Sequence, residues 1–367
     1  MSANGLNLEA TTIHRMLGVS RNGHDGKGWG FLHCPCNPLP YRFIIIDEAS
    51  MLDTTLAANI FKACAPGTHV LLVGDPYQLP PVGHGAPLRD LLERLPSGEL
   101  TEIQRNAGDI VRVCQDIRSG RPYNPSQFTC GKAGGNVKHW ETRDASHSMG
   151  VLQSLLTSPP PGLHPVWDMQ ILCAVNEKSD LSRKNLNAML QELFNPAGER
   201  VKGCPFRIGD KVICKTNSML PIVGVRPADL GSDNDDAEVQ SFVANGEIGE
   251  VVELQPKIMH VKFETPARTV RVLFGKSDEG SEGASCDFDL GYAITTHKAQ
   301  GSQAKVIVTL IDDSGAANQV CTREWHLTAF SRPERLLLTI GKQHIVNKQC
   351  RKVGLRDRKT FLQQLMN

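Results

Sequence analysis

Two short, wholly apolar runs constrain this 367-residue chain most: Phe43-Ile44-Ile45-Ile46 and Val70-Leu71-Leu72-Val73. Neither alternates apolar with polar residues, so each reads as a strand buried on both faces, as in a parallel sheet covered by helices. The first opens into Asp47-Glu48-Ala49-Ser50 and the second into Gly74-Asp75-Pro76-Tyr77-Gln78-Leu79-Pro80-Pro81. A helical stretch over 52–64 joins them, so the three form a βαβ unit. Polar groups delivered at the carboxyl ends of adjacent parallel strands are where an open α/β sheet builds its ligand crevice.

The length allows two or three domains, each with its own core. No apolar run reaches 18 residues and no signal sequence is evident, so neither a membrane span nor export is expected. The eleven cysteines are odd in number and scattered, which predicts reduced thiols and a cytoplasmic location. A net charge of +1 leaves a nucleic-acid partner open, because a basic channel can be balanced by acidic surface elsewhere.

Along the chain, residues 7–18 predict a short helix carrying Thr11, Thr12, His14 and Arg15. Gly18–Arg42, rich in glycine and proline, predicts a hairpin or loop excursion. Further helices are expected at Leu88–Leu95, Asp109–Ser119 and Lys178–Phe194, with strands at Met169–Val175, Ala304–Leu310 and Arg335–Ile340. Gly120–Asn136 and Ser158–Pro165 read as breaks. Between Cys204 and Cys286 the pattern changes to short strands and tight turns, with Asn245-Gly246 as a hairpin signal. A β segment interrupting an α/β pattern predicts a small barrel inserted into a second α/β domain.

Taken alone, Asp47-Glu48 could be a solvated acidic turn. The chemical alternative is that Asp47 holds Mg²⁺ through water and Glu48 orients an attacking water. The loop Gly74–Pro81 favours the second reading. A mere turn needs only glycine and proline, whereas Asp75 and Gln78 follow the second buried strand at a spacing that lets a glutamine reach a terminal phosphate.

Six motifs then occur in the order found in superfamily 1 helicases. They are Thr11-Thr12-Ile13-His14-Arg15, Asp47-Glu48-Ala49-Ser50-Met51, Gly74–Pro80, Gln104-Arg105, Thr295-Thr296-His297-Lys298-Ala299-Gln300-Gly301-Ser302 and Thr328-Ala329-Phe330-Ser331-Arg332. With Asn37–Pro40, Asn195-Pro196, Asn245–Gly249 and the tail Arg358–Leu362, the chain resembles the RecD-like branch over nearly its whole length.

The resemblance implies an α/β fold of two RecA-like parallel-sheet domains, with ATP between them and single-stranded DNA across both. It also implies ATP-dependent unwinding with 5′-to-3′ polarity and an SH3-like β-barrel inserted in the second domain. The domains would be 1–150, 151–203 plus 287–367, and the insertion 204–286. Carried over, Asp47 and Glu48 are the magnesium and water carboxylates, and Gln78 senses the γ-phosphate. Arg105 and Arg332 neutralise charge on the transferring phosphoryl group. Gly74, Asp75, Gly301 and Gln303 complete the nucleotide-binding set, with Gln303 standing where the family often has glutamate. Thr12, His14, Arg15, Thr295, Thr296, His297 and Lys298 would contact DNA phosphates. Repair, recombination and phage replication all fit such a motor.

The family's G-x-x-x-x-G-K-[ST] phosphate loop precedes motif Ia, and only ten residues precede Thr11 here. The expectation is therefore a truncated first domain, with an unpaired apolar edge beside Phe43–Ile46. Such a copy would be inactive alone, or would need another polypeptide to supply the loop; a nucleic-acid-binding remnant and an interaction subunit are the alternatives. Gly275-Lys276-Ser277 lacks the earlier glycine and is a decoy. His33-Cys34-Pro35-Cys36 and Asp233-Asn234-Asp235-Asp236 lack the partners of a zinc or calcium site. The basic stretch Lys342–Lys359 reads as added phosphate contacts or as a solvated tail.

Overall fold

The two apolar runs do pair: Phe43–Ile46 lies parallel to His69–Leu72, with Ile44 opposite Val70 and Ile46 opposite Leu72. A computed structural model describes residues 2, 3, 6, 7, 10–20, 30–100, 108–125, 135–225, 238–274, 287–355 and 358. The chain divides into two units, Met1–Thr101 with Val353–Asn367, and Glu102–Lys352.

The first unit contains the antiparallel pair β1 (Ser2–Ala3) and β2 (Leu6–Asn7), helix α1 (Ile13–Leu17), and the small hairpin β3 (Val19–Ser20) and β4 (Gly30–Phe31). Then come β5 (Phe43–Ile46), a 3₁₀ turn at Ala49–Met51, α2 (Thr54–Ala63), β6 (His69–Leu72) and α3 (Pro87–Leu92). Helix α1 is shorter than residues 7–18. Thr12 Oγ1 accepts the Arg15 amide at its start, and Gly18, at φ 69°, ends it. Asp53 caps α2 by accepting from Leu56 N, the arrangement that satisfies an orphan first-turn donor.

The runs are not buried on both faces. Ile44 and Ile46 enter a core with Leu17, Leu39, Ile60 and Ala63, whereas Phe43 and Ile45 are 57% and 54% exposed. Leu71, the register partner of Ile45, is exposed too. Among the described residues no third strand joins this pair. Phe43, Ile45 and Leu71 thus form an exposed apolar face on the pair.

The second unit begins with α4 (Asp109–Arg118), β7 (Val137–Trp140), α5 (Ala145–Thr157), β8 (Met169–Cys173) and α6 (Arg183–Phe194). An inserted stretch follows: β9 (Lys211–Cys214), β10 (Ser218–Pro221), β11 (Gln240–Val243), β12 (Ile248–Gln255), β13 (Ile258–Glu264), β14 (Ala267–Leu273) and β15 (Phe288–Leu290). The α/β pattern resumes with β16 (Ala293–Thr295), β17 (Ala304–Leu310), α7 (Gly315–Val320), α8 (Arg323–Phe330), β18 (Pro333–Ile340) and α9 (Gln343–Cys350).

Five strands form an all-parallel sheet in the order β16-β8-β17-β18-β7. Its core includes Leu152, Met169, Ile171, Leu186, Val306 and Leu338. The expected first-domain boundary at residue 150 is corrected by β7. Val137–Trp140 pairs with Leu337–Ile340 of β18, so this stretch belongs to the second unit and the division falls at Thr101. The tail from Val353 belongs to the first unit instead of the second.

The insertion is a five-stranded antiparallel sheet, β14-β13-β12-β9-β15, with β10 and β11 pairing separately. A bridge between Ile222 and Val270 places the β10 side next to β14. Asn245-Gly246 makes a turn, with Glu247 N donating to Ala244 O and Gly246 at φ 90°. It joins β11 to β12, which do not pair, so it is not a hairpin turn. The hairpins are β12–β13 and β13–β14. Gly249 sits where a Cβ would fall 2.6 Å from Val261 Cγ1 and 2.8 Å from Lys262 O, so only glycine allows that approach. Gly275-Lys276-Ser277 and Asp233–Asp236 lie outside the described residues.

Candidate nucleotide and nucleic-acid site

Adjacency of β5 and β6 sets the geometry of the acidic motif. Val73 N donates to Ile46 O, and Ala49 N donates to Val73 O, both at 2.8 Å. The two strand ends thus remain laced beyond the ladder. Gly74 then passes close to the turn after Glu48: a Cβ there would lie 2.9 Å from Ser50 N and 3.0 Å from Ala49 N.

Asp47 and Glu48 stand at the carboxyl end of β5, Asp47 exposed and Glu48 half-buried. Glu48 adopts φ 49°, ψ 39°, the left-handed region that a residue with a Cβ rarely enters. Its amide is held by Asp47 Oδ1 at 2.8 Å. Non-glycine residues in this region concentrate at functional turns, where surrounding structure enforces them. Here the enforcing structure is the Ala49–Val73 bond and the close pass of Gly74.

Asp75 shapes the second loop. Its Oδ1 accepts the Tyr77 amide at 2.9 Å and its carbonyl accepts Gln78 N at 3.2 Å, an Asx-type turn that presents Gln78. Gln78, Ser50, Pro76, Arg89 and Leu355 line one small cavity. Ser50 Oγ is buried without a hydrogen-bond partner. Sequence reasoning missed Ser50; its place beside the two carboxylates was the available signal.

Thr12, His14 and Arg15 sit on or beside α1. Thr12 spends its hydroxyl on the helix cap, while His14 and Arg15 are exposed, with the His14 ring 5.9 Å from Phe31. Arg105 lies outside the described residues.

In the second unit, Thr295 ends β16 and Thr296 follows it, both buried; Thr296 Oγ1 has no hydrogen-bond partner. Burial pushes the His297 imidazole below its ordinary value. Lys298 donates to Asn245 Oδ1 at 2.6 Å and to Lys215 O at 3.1 Å, and desolvation lowers its pKa. Its ammonium thus ties the motif turn to the inserted sheet. Gly301, at φ 75°, and Gln303 are exposed.

Arg332 is 1% exposed. Its Nε donates to Thr328 O at 3.1 Å and its Nη1 to Ser302 O at 3.4 Å. The guanidinium therefore braces the ends of α8 and the motif V turn, and is not a surface group. Among the described residues no three His, Cys, Asp or Glu side chains gather to hold a metal. No helix among them is long and apolar enough to cross a membrane.

Residues 2–142 match the family described as AAA domain. The ATP-dependent RecD2 DNA helicase of Deinococcus radiodurans is 27% identical over 336 residues, covering 90% of this chain and 40% of that protein. The RecBCD enzyme subunit RecD of Mycolicibacterium smegmatis is 28% identical over 370 residues, covering 96% and 59%. The chain is thus similar to RecD-type helicases over most of its length. The chain spans about half the length of the relatives it matches. A Pif1 helicase from Bacteroides, solved with ADP-AlF3 and ssDNA, aligns at 18% identity and a TM-score of 0.47 over 82% of this chain and 71% of that one.

Proposed function

We propose that the chain is the motor portion of an ATP-dependent DNA helicase that moves along single-stranded DNA from 5′ to 3′. One observation carries this reading: Asp47-Glu48 and Asp75…Gln78 emerge side by side from neighbouring parallel strands, with Glu48 held in the left-handed region. Exposed carboxylate oxygens in that turn suit Mg²⁺, which takes one or two carboxylates and completes its shell with water and phosphate oxygens. Magnesium, when bound with nucleotide, neutralises charge on the phosphate oxygens.

The chain's own residues would do the rest. Asp47 would hold the ion, Glu48 would orient the attacking water, and Gln78 would hydrogen-bond to the terminal phosphate. The insertion is read as the SH3-like module of this branch, bound to motif V through Lys298 and Asn245.

Arg332 takes its proposed part, neutralising phosphoryl charge, only if its guanidinium, buried and bonded to Thr328 O and Ser302 O, becomes reachable by phosphate. That commitment favours a second reading, in which the chain binds single-stranded DNA without hydrolysing ATP. ATP hydrolysis measured with and without single-stranded DNA separates the two. Stimulated turnover supports the motor; DNA binding that weakens with salt, without turnover, supports the second reading.

A further inference from the structure

The tail after α9 belongs to the first unit, and Arg358 there is half-buried. Its Nη1 donates to Gly83 O at 2.7 Å and to Gly85 O at 2.9 Å, and its Nη2 donates to Pro81 O. Three carbonyls of one loop converge on a single planar fork. These carbonyls belong to the segment that follows Gln78, a stretch with no helix or strand of its own. Pro80 and Pro81 cannot donate backbone hydrogen bonds, and Gly83 and Gly85 add conformational freedom that something must remove.

The opposite side of the loop rests on α2. A Cβ on Gly83 would lie 2.4 Å from Asp53 Oδ2, and Thr54 N donates to His84 O at 3.0 Å. A second arginine fastens the tail itself. Arg89 donates to Leu355 O and, at 3.3 Å, to Arg358 O. It is ion-paired with the buried Asp90 at 2.8 Å. Leu355 and Arg89 also wall the cavity that Gln78 and Ser50 line.

We propose that Arg358 is a positioning residue for Gln78, its guanidinium fixing the Pro81–Gly85 loop against the start of α2. The inference rests on the motor reading and adds to it a residue outside all six motifs. A guanidinium presents a rigid set of N–H donors that a lysine does not, so charge alone does not fill this role.

Hydrogen exchange at the amides of Val82–Ala86 in Arg358→Ala reads the loop without requiring any turnover. Exchange there is expected to rise at least about tenfold, as for a local opening made about 1.4 kcal/mol easier. DNA-stimulated kcat is expected to fall by about 10–100-fold, the order produced by small misplacement of a reacting group, with KM for ATP changed far less. In a Gln78→Ala background, Arg358→Ala should lower kcat no further, because both act through one side chain. Unchanged exchange overturns the proposal, and so does a multiplicative effect on kcat in the double variant. Absence of turnover in the unaltered protein would overturn the motor reading, while raised exchange would still assign the loop to Arg358.

Discussion

Gly74 runs past Ser50 with no room for a methyl group: a Cβ would lie 2.9 Å from the Ser50 nitrogen. The neighbour is backbone, itself fixed by the bond from Ala49 N to Val73 O, so it cannot swing aside. The acidic turn and the Gln78 loop are therefore coupled by steric contact as well as by the ladder. Gly74→Ala is expected to destabilise the first unit by about 1–3 kcal/mol, as overpacking does. Denaturant unfolding checks this, and an unchanged midpoint would show that the turn yields.

Glu48 carries local backbone strain at the turn after β5. A left-handed residue with a Cβ carries about 1–2 kcal/mol of strain, which glycine relieves at some loss of its own chain entropy. Glu48→Gly is expected to leave the first unit as stable or slightly more so, while DNA-stimulated hydrolysis is lost. A variant both destabilised and active would contradict the role given to Glu48.

Lys211 is buried, donating to Val166 O at 2.7 Å with its ammonium 5.8 Å from the Trp167 ring centre. Burial pushes its pKa down to about 7. Between that value and the usual 10.5 the unfolded chain holds a proton that the folded chain has released, so this lysine makes stability rise with pH across the interval, by at most about 1.4 kcal/mol per pH unit. Lys211→Met should therefore be more stable than the unaltered protein at pH 7. The gap should close as pH approaches 10.5. Thermal unfolding of both proteins across that range tests the sign.

Arg332 is braced among carbonyls, so loss of activity on its removal must be separated from loss of fold. Arg332→Met keeps most of the buried volume and removes the donors. The second unit is expected to lose only about 1–3 kcal/mol from unpaired carbonyls, whereas hydrolysis should fall by about 10³-fold or more if the guanidinium serves phosphoryl transfer. Intact hydrolysis in a folded Arg332→Met protein would reduce Arg332 to a brace.

Local patterns were legible where local physics decides. Ala304–Leu310, fully apolar at its centre, is a strand with the bounds the sequence predicts, and the helix expected over 52–64 is α2 at Thr54–Ala63. Distant pairings were not legible. Val137-Lys138-His139-Trp140 carries little apolar signal and becomes a strand because β18, some 200 residues on, offers its edge; that pairing moved the unit boundary from 150 to 101. Face was misjudged at Phe43 and Ile45, since four apolar residues in a row cannot report how many faces are covered. At the candidate site, motif order singled out Asp47, Glu48 and Gln78, which leave the ends of neighbouring strands. It could not show that Thr12 caps a helix, that Lys298 is held by Asn245, or that Arg332 is buried, because each depends on a neighbour that folding brings.

The turn after β5 is proposed to carry out ATP hydrolysis in response to DNA. The most direct measurement is steady-state ATP hydrolysis with and without single-stranded DNA, for the unaltered protein and for Glu48→Gln, which keeps the shape of the side chain and removes its charge. DNA should stimulate the unaltered protein, and Glu48→Gln should lose that stimulation while still binding DNA. Equal hydrolysis by the two proteins, or hydrolysis indifferent to DNA, would contradict it.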